Sequence, residues 1–142
     1  MTEQDLIRLA RENVEAWNAG DWQRLKAALA PDVVYDEVGS QRRMQGADQL
    51  VRAYQGWKKA VPDGKGNITN SVAADNTVVI EVTWMGTHNG PLETPGGTIP
   101  PSGKSWNLRG AQVVVLKDGK IKEVRQYFDM MTLLQQIGAA PK

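Results

Sequence analysis

The chain has 142 residues, a formal net charge of +1, 41% hydrophobic and 23% charged residues, no cysteine and a single histidine. That length supports one domain, residues 1–142, with one core, and the missing cysteines exclude disulfides, thiol chemistry and the usual Cys/His zinc site. Dispersed Lys and Arg residues exclude the basic stripe of a nucleic-acid-binding surface, and no segment reaches the roughly 18 apolar residues of a membrane span. The first ten residues, MTEQDLIRLA, lack the basic start and apolar run of a signal peptide. These features predict a cytoplasmic, metal-independent protein with no membrane or nucleic-acid partner.

Residues 5–18 are predicted to form a helix, because Leu6, Leu9, Ala10, Val14 and Trp17 make one apolar stripe at i, i+3, i+4 spacing. Asn13 lies on the same stripe, so a polar amide points inward. Gly20 suits the end of that helix, and Asp21 is an N-cap for a second one carrying Trp22, Leu25 and Leu29. Pro31 stops it. VVYDEV, 33–38, reads as a strand, and a third helix covers about 46–60, with Leu50, Val51, Tyr54 and Trp57 as its stripe. Residues 68–74 and 77–89 then read as strands joined by a tight turn. A loop of about 15 residues follows at 91–105. Residues 105–117 and 120–128 form a hairpin around Asp118-Gly119, a strong turn signal. A short helix at 130–137 ends at Gly138. The order ααβαββββα fits an α+β fold: a curved antiparallel sheet with helices on its concave face, leaving a cone with an open mouth.

Side chains alternate along a strand, so parity assigns faces. On 77–89 the even positions, Val78 to Trp84 and on to His88, make an apolar face that ends in the only histidine. Parity on 120–129 puts Ile121, Glu123, Arg125, Tyr127 and Asp129 on one face. Tyr35 and Glu37 share a face of the first strand, and Asp36 takes the other. Each candidate has a plain structural alternative. His88 fits a satisfied structural histidine as well as a catalyst, Arg125 a cross-strand ion pair as well as a pocket group, and Asp36 a solvated strand residue. Trp57, Trp84 and Trp106 fit a core as well as a ligand platform. Asp129 stands where an N-cap belongs, which does not exclude proton transfer. The 91–105 loop is long enough to be functional, and its exit directly after His88 predicts a flap over the cone's mouth.

VPDGKGNITNSVAADNTVVIEVTWMGTHNGP, PPSGKSW, KDGKIKEV and YFDMMTLLQQIG, together with WNAGD, resemble the SnoaL-like polyketide cyclases of the cone-shaped nuclear-transport-factor-like superfamily. The resemblance covers nearly the whole chain. It implies a small-molecule substrate, no metal or organic cofactor, a homodimer, and Asp129 as the acid/base of an intramolecular aldol ring closure. His88 would orient it or carry a second proton, and Trp17, Tyr35, Trp57, Trp84, Trp106 and Tyr127 would wall the pocket, with Arg125 beside them. NAGDW and VVYDEVGS resemble, more thinly, the ketosteroid isomerases of the same superfamily. That likeness puts Asp36 at their general base, Asn13 at their oxyanion-hole Tyr and Gln112 at their protonated Asp. Both likenesses imply proton movement beside a carbonyl in a dry pocket. The alternatives are a non-catalytic binding module and an epoxide hydrolase, whose Asp-Arg-Asp relay would leave Arg109 without a nearby acid.

Overall fold

The computed structural model describes residues 1–141. Helix α1 spans Glu3–Ala19, opened by a capping box in which Thr2 and Asp5 exchange hydrogen bonds and closed by Gly20 at φ 65°. Helix α2, Trp22–Ala28, is capped by Asp21. Strands β1 (Leu29–Glu37) and β2 (Arg42–Gln45) form a hairpin, and helix α3 (Ala47–Ala60) follows. Strands β3 (Lys65–Ala74) and β4 (Thr77–Thr87) form a second hairpin, and a two-stranded flap holds β5 (Leu92–Thr94) and β6 (Gly97–Ile99). Strands β7 (Ser105–Lys117) and β8 (Lys120–Phe128) precede the last helix, α4 (Met130–Gln136).

Six strands make one sheet in the order β2-β1-β8-β7-β4-β3. The helices gather on the face where Val78, Ile80, Val82, Leu108, Val114 and Val124 are buried. The sheet is mixed rather than antiparallel, because β1 runs parallel to β8. Strand direction depends on the end from which a distant partner arrives, which local patterning does not encode. Pro31 lies inside β1, three residues past the end of α2. It falls where the β1–β8 register breaks between Leu29 and Val34, a place where a residue without an N–H costs no ladder bond.

A second irregularity positions the pocket. Val115 of β7 pairs with Glu123, but the next residue, Leu116, pairs with Ile121. Lys122 is therefore an extra residue, a β-bulge that reverses the alternation of β8 beyond it. Ile121, Val124 and Gln126 face inward and are buried, whereas Tyr127 is exposed. The parity expectation for Arg125, Tyr127 and Asp129 is corrected by this one residue.

Candidate functional site

The helices and the concave face of the sheet enclose a cavity of about 550 Å³, counted to its open mouth. Trp17 of α1, Tyr54 and Trp57 of α3, Trp84 of β4, Trp106 and Leu108 of β7 and Phe128 of β8 supply its apolar walls. The rings meet edge to face: Trp17 on Trp84 at 5.4 Å, Tyr35 on Tyr54 at 5.3 Å and Trp57 on Phe128 at 5.9 Å between centroids. Trp84 lies flat because its strand neighbour Gly66 has no side chain; a Cβ there would stand 2.6 Å from the indole.

One carboxylate opens into this apolar space. Glu37, at the end of β1, has no exposure. Its Oε2 accepts hydrogen bonds from the Tyr35 hydroxyl at 2.5 Å and from the Trp57 indole Nε1 at 2.8 Å. Its Oε1 accepts from Arg42 Nε at 2.9 Å and from the Ser40 hydroxyl, and Arg42 Nη2 stands 2.8 Å from it. A buried charge is tolerated only when paired and hydrogen-bonded, and all four partners come from one hairpin and one helix face. Burial, and then the adjacent Glu37 charge, push the Tyr35 phenol well above its ordinary pKa, so it stays a neutral donor. Sequence reading missed Glu37 as a site residue. The available signal was its shared face with Tyr35, set against the neighbouring Asp36.

A second polar chain runs behind the pocket. The Tyr54 hydroxyl donates to Asn13 Oδ1 at 2.9 Å, and Asn13 Nδ2 donates to Gln112 Oε1 at 2.9 Å. In this arrangement the Oε1 end of Gln112 is taken by Asn13, and its Nε2 end is the one left for the cavity. Burial also raises the pKa of Tyr54. Among the described residues, the Trp84 and Trp106 indole nitrogens and Gln126 Oε1 are buried without a hydrogen-bond partner. All three residues line the cavity.

The structure brings Trp17, Tyr35, Trp57, Trp84, Trp106 and Gln112 together at this cavity, with Asn13 directly behind Gln112. The remaining candidates lie elsewhere. Asp129 is exposed and caps α4, accepting from the Met131 and Thr132 amides at 3.0 and 3.3 Å and from the Thr132 hydroxyl at 2.7 Å. The Thr132 bonds hold its carboxyl below the usual carboxylate range. Asp36 sits on the outer face of β1, 3.6 Å from Arg43. Arg125, next to it on the outer face of β8, pairs with Glu123 at 2.7 Å, and Tyr127 shares that face. His88 is 1% exposed, outside the cavity lining. Its Nδ1 accepts the Ser102 amide at 3.2 Å, 3.0 Å from the Ser102 hydroxyl, and burial lowers its pKa. No group of three or more His, Asp or Glu side chains among the described residues is placed to hold a metal ion. No helix among them is long and apolar enough to cross a membrane.

This α+β fold has counterparts among known proteins. The chain belongs to the SnoaL-like polyketide cyclase family, whose model matches residues 7–137. Among solved structures it is similar to AclR, a proposed hydroxylase of Streptomyces galilaeus, at 26% identity and TM-score 0.81 over 99% of this chain and 85% of that one. It is similar at 20% identity and TM-score 0.86 to a proposed SnoaL-like polyketide cyclase of Jannaschia sp. CCS1, over 98% and 95% of the two chains. An LEH-like epoxide hydrolase of M. tuberculosis aligns at 21% identity and TM-score 0.73, over 95% and 90%. No curated protein matches the chain.

Proposed function

We propose that the protein binds a small, mainly apolar, carbonyl-containing molecule in the cone and moves a proton on it without a cofactor, in an isomerisation or aldol cyclisation. The observation that carries this reading is Glu37, a fully buried carboxylate hydrogen-bonded to Tyr35 in a mainly apolar cavity. The Tyr35 oxygen takes a proton from the carbon beside the substrate carbonyl and passes its own to Glu37 Oε2. The enolate oxygen accepts a hydrogen bond from Gln112 Nε2, whose orientation Asn13 and Tyr54 hold. In isomerisation the proton returns to a different carbon. In an aldol closure the enolate carbon bonds a second carbonyl carbon, and the resulting alkoxide takes the proton back. Asp129, ionised by its capping bonds, and His88 lie outside the cavity lining and take no part in this chemistry.

The test uses a β,γ-unsaturated cyclic ketone and follows the ultraviolet absorbance of the conjugated enone. Wild type converts it above background. Glu37→Gln and Tyr35→Phe bind it but lose roughly 10²–10⁴-fold in rate, as expected when general acid–base catalysis is removed. A second reading, a non-catalytic binding module, is favoured by one observation: every bond to Glu37 comes from the protein itself. Binding with no conversion by wild type would select it. Either reading includes a homodimer.

A further inference from the structure

A second cavity lies outside the cone, between β2, α3 and the flap strand β5. It holds about 730 Å³ of empty space, counted to its mouth, more than the 550 Å³ of the cone by the same measure. Met44, Ala53, Gly56, Trp57 and Leu92 make its apolar floor. Arg42, Arg52, Gln49 and Glu93 stand at its polar parts, two guanidiniums against one carboxylate. Trp57 belongs to both cavities, and Arg42 joins the second one to Glu37.

Gly56 is the feature with no explanation in the fold. It sits in the interior of α3, where glycine is the least favourable residue after proline. Its φ is not positive, so the backbone does not require glycine. Nothing stands within 4 Å of the position its Cβ would take, so packing does not require it either. What a side chain there would occupy is the floor of this cavity.

We propose that the outer cavity is a second small-molecule site, taking a flat, mainly apolar molecule that carries a carboxylate. The flat body lies on the helix surface that Gly56 leaves bare, against Trp57 and Leu92. The carboxylate faces Arg52 and the part of Arg42 not engaged by Glu37. This site shares only Trp57 with the cone's lining and needs no turnover there, so a wild type that catalyses nothing in the cone would leave it intact.

The probes are 2-naphthoate and its neutral counterpart 2-acetonaphthone, titrated into ¹⁵N-labelled full-length protein and read by amide and indole shifts. 2-Naphthoate is expected to move the Gly56 amide and the Trp57 indole together, with the Trp17 and Trp106 indoles unmoved. Gly56→Ala is expected to melt at a higher temperature, because alanine favours the helix, yet bind 2-naphthoate about tenfold more weakly, as one methyl intruding on a fitted surface does. Arg52→Gln should weaken 2-naphthoate up to about fivefold, the range of an exposed ion pair, and leave 2-acetonaphthone unchanged. Wild-type affinity in Gly56→Ala, shifts confined to the Trp17 and Trp106 indoles, or no binding at millimolar probe would each overturn the proposal.

Discussion

Glu37 and Asp129 show how little a residue type says without its surroundings. Both are carboxylates at strand ends. One is sealed among Tyr35, Ser40, Arg42 and Trp57, and the other is exposed on a helix start. Glu37→Ala strands the Arg42 guanidinium and should destabilise the fold by about 3–5 kcal/mol, the usual cost of breaking a buried pair; chemical denaturation measures it. Asp129→Asn keeps an oxygen for the Met131 and Thr132 amides, so melting temperature at pH 7 and turnover should both stay near wild type. The depressed pKa of Asp129 adds a pH signature. A carboxylate whose folded pKa is lowered stabilises above its unfolded value of about 3.9 and loses that contribution as pH falls below it. The small advantage of wild type over Asp129→Asn should therefore vanish in acid melts. A turnover loss of 10²-fold or more in Asp129→Asn, as general acid–base catalysis through it would give, would return the proton-carrying role to Asp129.

At the level of elements, the flap is held by its two ends. Gly90 sits so close to α3 that a Cβ would stand 1.9 Å from the Lys59 carbonyl oxygen. The other end returns to His88, whose backbone N–H donates to Lys104 at 2.9 Å and whose ring accepts the Ser102 amide. The buried ring favours the neutral form, so its folded pKa lies below 6.5. Its stabilisation is complete above the unfolded value near 6.5 and is lost as pH falls toward the depressed folded value. Wild type should thus lose more stability between pH 7 and pH 5 than His88→Gln, whose amide does not titrate. Equal slopes in the two melting series would remove this role. The sequence predicts a loop over the cone here, but its Leu92 and Glu93 border the outer cavity. Its short β5–β6 hairpin escaped notice because three-residue strands flanked by Pro and Gly carry no periodic signal. The long strands were legible for the opposite reason: β7 and β8 flank an Asp-Gly turn, and their expected bounds match the observed ones. The α1 stripe places Trp17 and Asn13 inward, as observed, since a helix closes its hydrogen bonds within itself and its faces do not depend on the register of a partner. Parity failed on β8 alone, because a bulge is a property of the pairing, and no single strand announces it.

For the whole molecule, the uncovered sheet face is where the proposed second copy would pack. One register row crosses it from Val72 through Val79 and Val113 to Arg125, Asp36 and Arg43. Val72 and Val79 are exposed, as is Tyr127 nearby. The row is thus apolar at one end and charged at the other, a surface suited to pairing with a second copy. The proposed homodimer uses this face. Val79→Glu should convert it to monomer in sedimentation at micromolar concentration while leaving the melting curve cooperative. A wild type that sediments only as a monomer would end the idea.

Lys122 has a reach beyond its own position. Were Lys122 drawn into the ladder instead of bulging, strict alternation from Ile121 would turn Arg125 and Tyr127 to the cone in place of Gln126 and Phe128. The interior chemistry of this half of the protein is therefore governed by counting rather than by spelling. A one-codon insertion or deletion between Val124 and Gln126, with the pairing before it kept, would exchange the faces of the residues after it and so rewrite the polarity of the chamber, a coarse dial that point substitution cannot turn.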